Sequence, residues 1–146
     1  MGKIQNYLKS ILAKTLFVAV NWLHKNPGIK IKKAFRKKYP KSSFPTWQQI
    51  DRFTWEVSFI LNKNEYKTFF DTNGNWLQTK HYVSYYNLPN LIKNNFRSYD
   101  NFKNLQKVLL IEKPDESLFE FQMNSGNGPY KIVVDINGNE VNHKAS

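Results

Sequence analysis

Two acidic residues open nearly the same phrase twice in this chain: Asp71 in Tyr66-Lys-Thr-Phe-Phe-Asp71-Thr-Asn-Gly74-Asn75, and Asp135, 64 positions later, in Tyr130-Lys-Ile-Val-Val-Asp135-Ile-Asn-Gly138-Asn139. Glu56 and Glu120 keep the same separation. A two-residue turn at Lys63-Asn64 would set Glu56 opposite Asp71 and, by the same offset, Glu120 opposite Asp135. Such carboxylate pairs would suit a hard cation. The favoured reading is plainer: each Asp begins a turn and its side chain bonds the backbone two residues on. A calcium loop is excluded, because with the Asp as position one glycine comes fourth rather than sixth, and the twelfth position is Tyr82.

Other chemistry is sparse. His24, His81 and His143 match no metal-ligand spacing. The absence of cysteine removes disulfides, thiolate zinc sites and a Cys nucleophile. No nucleophile elbow, phosphate loop or dinucleotide fingerprint occurs, and the one glycine cluster, Ser125-Gly-Asn-Gly128, reads as a hairpin turn. The sequence therefore predicts no enzyme, no metal site and no cofactor.

Positive charge is concentrated rather than diffuse. Residues 1–41 hold eleven of the 22 Lys and Arg and no acid, while the rest of the chain balances eleven basic against eleven acidic residues. Any anionic partner must then be met by the front. Within residues 1–25, Lys3 and Lys9 precede an apolar run that Lys14 interrupts, and no small-x-small cleavage site follows. Two readings stand: an atypical export segment, or a basic amphipathic helix with Ile4, Leu8, Ile11, Leu12, Leu16, Val20 and Leu23 on one side. A membrane span is excluded, since it needs about 20 apolar residues.

The elements that must position these residues come from the repeat. The offset of 64 aligns Trp55-Glu-Val-Ser-Phe59 with Phe119-Glu-Phe-Gln-Met123, and an offset of 61 pairs Ile31-Lys-Lys-Ala-Phe35-Arg36 with Ile92-Lys-Asn-Asn-Phe96-Arg97. Each unit begins with a helix. The first opens at Asn26-Pro27, runs to about Tyr39 and buries Ile31, Ala34, Phe35 and Tyr39; the second opens at Asn87-Leu-Pro89 and buries Leu88, Leu91, Ile92, Phe96 and Tyr99. Alternating patterns predict strands near 44–50, 53–62, 65–71 and 76–84, and again near 105–113, 117–124, 129–136 and 139–143. Asn73-Gly74 and Asn137-Gly138 are the strongest hairpin signals. The expected architecture is α+β, a tandem duplication of a helix plus a four-stranded antiparallel sheet, with residues 26–86 and 87–146 as the two repeats.

Ala34-Phe35-Arg-Lys-Lys-Tyr39-Pro40, the strands carrying Trp47 and Trp55-Glu-Val, Phe70-Asp71-Thr-Asn-Gly74-Asn75-Trp76 and Leu88-Pro89 together resemble the PepSY-like, beta-lactamase-inhibitor-like family of bacterial envelope proteins. The resemblance covers about residues 28–142. It implies a fold like that of beta-lactamase inhibitory protein and a periplasmic or secreted location, with a cytoplasmic one as the alternative. It implies no reaction and carries over no functional residue.

Two candidate surfaces emerge. The sheet face turned away from the helices is expected to present Glu56, Lys67, Phe69, Trp76, Lys80, Tyr82, Glu120 and Lys131, aromatics among charges that suit an unidentified protein partner. The competing reading packs Phe69 and Trp76 against their neighbours. The second surface is the cationic side of the first helix, Lys30, Lys32, Lys33, Arg36 and Lys37, facing an anionic membrane surface; nucleic acid ranks behind lipid because no recognised nucleic-acid module accompanies the charge.

Overall fold

The helix signals near Asn26 take effect two residues further on. In the computed structural model, which describes residues 26–99 and 102–141, α1 spans Ile29–Lys38 with Gly28 at its N-cap; the 1–25 segment lies outside the described residues. Pro40 bars continuation, and the last turn closes as Tyr39 N–H donates to Phe35 O at 2.8 Å. Arg36, Lys37 and Lys38 crowd that last turn, where cations face the negative end of the helix dipole.

Four strands come next, β1 (Ser43–Gln49), β2 (Thr54–Leu61), β3 (Asn64–Asp71) and β4 (Trp76–Val83). A 3-10 turn, Tyr85–Asn87, leads into α2 (Asn90–Tyr99), and a second 3-10 turn, Phe102–Asn104, into β5 (Leu105–Glu112), β6 (Ser117–Ser125) and β7 (Gly128–Asp135). All seven strands form one antiparallel sheet in sequence order. Of the fourth strand expected near 139–143, the described residues end at Val141 and show a single bridge between Val134 and Glu140, with Val141 N–H donating to Val133 O at 2.8 Å; 142–143 lie outside them. No described helix is long and apolar enough to cross a membrane.

Both helices lie on the same face of the sheet and each owns a core. Ile31 and Phe35 of α1 meet Trp55, Val57, Phe59 and Phe70, with Tyr39, Trp47, Tyr66 and Trp76 packed around them. Under α2, Ile92 and Phe96 meet Val108, Phe119, Phe121, Met123 and Val134. Leu91, expected in that stripe, is 52% exposed, because Leu88, Ile92 and Phe96 already occupy the sheet-facing side.

The two Asp phrases are equivalent turns. Asp71 Oδ1 accepts from the N–H groups of Asn73 (2.8 Å) and Asn75 (2.9 Å), and Oδ2 from Asn75 Nδ2 (2.8 Å); Asp135 does the same with Asn137 and Asn139 at 2.8, 2.9 and 3.1 Å. Each turn also presses on its helix. Gly74 (φ 88°) lies so close to Lys30 O that a Cβ would sit 3.0 Å away, and at Gly138 (φ 79°) a Cβ would meet Asn95 Nδ2 at 2.6 Å. Only glycine satisfies both the left-handed backbone and the close approach.

Candidate functional site

The turn between β2 and β3 decides which charges meet. It is Asn62-Lys63, both at positive φ (50° and 68°), and not Lys63-Asn64. Moving the turn back one residue moves every cross-strand partner by two. Glu56 faces Phe69 and Asp71 faces Thr54; in the second half Glu120 faces Val133. The carboxylate pairs that a Lys63-Asn64 turn would have made do not form, in line with the favoured reading of each Asp as the start of a turn.

They pair with lysines instead. Lys67 Nζ lies 3.0 Å from Glu56 Oε1, and Lys131 Nζ 3.0 Å from Glu120 Oε1, the same diagonal contact twice. Ser58 Oγ donates to Glu56 at 3.4 Å and Gln122 Nε2 to Glu120 at 3.0 Å. Burial alone would raise the Glu120 carboxyl, but the hydrogen bonds from Gln122 and Lys131 and the charges of Lys131 and Lys80 bring it below its ordinary value. Both glutamates are thus fixed acceptors on the face opposite the helices.

Most of the expected surface lies on that face. The β3–β4–β5 register sets Lys67 beside Lys80 and Lys80 beside Ile111, and Tyr82 beside Leu109. Lys80 Nζ stands 5.4 Å above the Phe69 ring and Lys107 Nζ 4.9 Å from that of Tyr82. Between them runs an open groove of about 520 Å³ lined by Phe44, Ile60, Lys80, Tyr82 and Leu109. Tyr82 is 51% exposed and Phe44 82%, so the groove offers apolar surface, whereas Ile111 and Leu118 on the same face are buried.

Trp76 is not on this face. A bulge between Phe69 and Phe70 pairs Phe70 with Trp76 while Phe69 pairs with Gln78, which absorbs Leu77 and turns the indole toward α1. There Lys38 Nζ sits 3.5 Å over the ring, and Nε1 donates to Thr79 Oγ1 at 2.9 Å. Phe44, Ile60, Leu109 and Lys107 were missed in the sequence. The one signal for Leu109 was the unbroken run Val108-Leu-Leu-Ile111, apolar on both sides of a strand.

The cationic surface of α1 is present. Lys30, Lys33, Arg36 and Lys37 are exposed, Lys32 donates to Asn26 Oδ1 at 2.6 Å, and among the described residues no carboxylate forms an ion pair with any of them.

One titratable group lies between the two cores. The His81 ring stacks on Tyr66 with centroids 4.2 Å apart, and its buried Nδ1 has no hydrogen-bond partner among the described residues. Burial holds its pKa below the ordinary 6.5 against the opposing charge of Glu112. A histidine depressed in the fold contributes stability above its unfolded pKa and loses it as pH falls through the folded one. Unfolding free energy is therefore expected to decline as pH drops below about 6.5, and the slope in that window to flatten in His81→Phe. Denaturant midpoints measured across pH check this; equal slopes would refute it. A second decline below about 4 belongs to Asp71 and Asp135, whose accepted turn hydrogen bonds hold their carboxyls below the usual range.

Residues 54–141 match the family model described as "Putative beta-lactamase-inhibitor-like, PepSY-like". No curated protein matches the chain. Several solved structures share its fold. A Bacteroides eggerthii DSM 20697 protein, described as putative periplasmic, is 18% identical with a TM-score of 0.73, covering 80% of this chain and 87% of its own. A DUF2874 family protein from Bacteroides ovatus ATCC 8483 is 23% identical, TM-score 0.71, with 80% and 86% covered. A BLIP-like protein from Bacteroides fragilis NCTC 9343 is 23% identical, TM-score 0.70, with 80% and 84% covered.

Proposed function

Because the chain belongs to the PepSY-like, beta-lactamase-inhibitor-like family, we propose that it is a non-enzymatic module of the cell envelope that recognises a protein partner through the sheet face opposite its helices. The observation that carries this reading is the groove at Tyr82 and Leu109, an apolar centre with ion-paired glutamates and lysines on the surrounding sheet. A central aromatic surrounded by polar groups is the usual composition of an interface hot spot. Lys67 and Lys131, already held by Glu56 and Glu120, lose little freedom on binding. An extracytoplasmic location is part of the proposal, supported by the fold shared with the B. eggerthii protein.

Cross-linking in an envelope extract, followed by affinity measurement on the captured protein, provides the test. Tyr82→Ala is expected to weaken binding about tenfold or more, the loss of one hot-spot side chain. Trp76→Phe, altered on the opposite face, should bind as wild type. Unchanged affinity in a Tyr82→Ala, Leu109→Ser double variant would discard the surface.

A second reading rests on the exposed cations of α1, which form no ion pair with a carboxylate among the described residues: an adaptor at an anionic lipid surface. It requires liposome co-sedimentation that falls with salt and with Gln at Lys30, Lys33, Arg36 and Lys37.

A further inference from the structure

Among the described residues no strand pairs with the outer edge of β1, and that edge lies beside the cationic helix. In the β1–β2 ladder Trp47 faces Val57 and Gln49 faces Trp55, and Ile50 N–H donates to Thr54 O at 3.0 Å. Antiparallel pairs alternate between bonded and unbonded. Counting back from Ile50, the bonded pairs are Gln48–Glu56 and Thr46–Ser58, so the N–H and C=O groups of Trp47 and Gln49 point outward. The preceding half of β1 is blunted by Pro45 and by a bulge between Ser43 and Thr46. What remains is a short template, enough for a segment of a few residues and too short for open-ended sheet growth.

The same geometry occurs a second time, with the position filled. β5 stands to α2 as β1 stands to α1: Val108 faces Phe121 as Trp47 faces Val57, positions 61 and 64 residues earlier. The outer edge of β5 carries β4, antiparallel, with Val83 beside Val108 and packed against the core under α2. The corresponding place beside Trp47 is a groove of about 590 Å³ between α1 and the β1 edge, lined by Lys32, Phe35, Arg36, Tyr39, Pro45 and Trp47. Its aromatic floor takes an apolar side chain, and its helix wall is positive with no acid between residues 26 and 50.

We propose that this groove binds an extended acidic peptide segment of a partner protein, which adds to β1 as an eighth, antiparallel strand. Side chains alternate along a strand, so every second residue of the segment faces α1. The residue opposite Trp47 is apolar and takes the place that Val83 takes beside Val108; the residues two before and two after it are acidic and meet Lys32 and Arg36. A lipid headgroup would use the cations but not the outward N–H groups of Trp47 and Gln49. The site is separate from the Tyr82 groove, and either can hold without the other.

The test uses the full chain and a capped Glu-Thr-Val-Thr-Glu peptide, followed by backbone amide NMR and hydrogen exchange. The Trp47 and Gln49 amides are expected to shift and to exchange about tenfold more slowly in the complex. Methylating the peptide's valine nitrogen, or replacing its Glu by Lys, should weaken binding about tenfold or more, and so should Lys32→Glu with Arg36→Glu. Equal binding of the N-methylated peptide overturns the proposal, as do shifts confined to Tyr82 and Leu109. It is also overturned if phosphatidylglycerol vesicles bind while the peptide does not, or if the two amides become protected by self-association without peptide.

Discussion

Phe121→Ala is expected to lower the unfolding free energy by about 3–5 kcal/mol, the range for emptying a fully enclosed aromatic site. Phe121 is 0% exposed and its ring stacks on Phe96 of α2 at 4.2 Å and 11°. Phe96 is likewise 0% exposed, with Ile92, Met123 and Val134 in the same cluster. The substitution removes buried apolar area and also the surface on which α2 rests. Neither a helix of ten residues nor a sheet strand can swing in to refill the gap without breaking its own hydrogen bonds, so the cavity persists. Phe69→Ala provides the contrast. Phe69 is half-buried on the other face, and its loss should cost under about 1.5 kcal/mol, since the ring stays partly in water in the fold. Urea denaturation of both variants decides the matter: a Phe121→Ala loss below about 1 kcal/mol would mean that α2 does not depend on this stack.

The elements that carry the stack, though not the contact itself, were legible in the sequence for a definite reason. Phe96 and Phe121 each belong to a segment with clean periodicity, and each has a counterpart, Phe35 and Val57, at the repeat offset. The Asp turns were legible too, because Asp-x-Asn-Gly-Asn satisfies its hydrogen bonds within five residues. What could not be read was parity. Alternation counted through β4 puts Trp76 on the same side as Tyr82, and one bulge at Leu77 reverses it. The Asn62-Lys63 turn has the same consequence for Glu56: which two residues take positive φ is settled by the flanking ladder, and a shift of one replaces a carboxylate partner by Phe69. Of the strand expected near 139–143, the described part, which ends at Val141, falls short for a third reason. The turn at Asp135 repeats the turn at Asp71, but beyond Asn139 the described residues form only the Val134–Glu140 bridge, where Trp76–Val83 has β5 to pair with on its far side.

Thr79→Val is expected to cost about 2–4 kcal/mol although the side chains have nearly the same shape, because the hydroxyl is the centre of a buried network. Thr79 and Thr68 are both 0% exposed. Thr68 Oγ1 donates to Gln78 O at 3.2 Å, which spends its proton, so the 2.9 Å contact between the two threonines is donated by Thr79. Thr79 then has only lone pairs left, and they accept from Trp76 Nε1 at 2.9 Å and from the Tyr39 hydroxyl. Burial raises the Tyr39 pKa above 10.0 against the hydrogen bonds that lower it, which keeps the phenol protonated as the donor this ordering requires. Valine leaves two part-buried donors without an acceptor and one buried acceptor without a donor. The same ordering explains why Trp76 turns inward: its N–H has a partner only on the α1 side, where Lys38 covers the ring. Serine should restore most of the loss, since it keeps the hydroxyl and gives up only a methyl group. In a double-mutant cycle, Tyr39→Phe with Thr79→Val should cost less than the sum of the single changes by at least about 0.5 kcal/mol, because removing both partners leaves fewer orphaned groups than removing either. Strict additivity in that cycle would show that the two hydroxyls do not depend on each other.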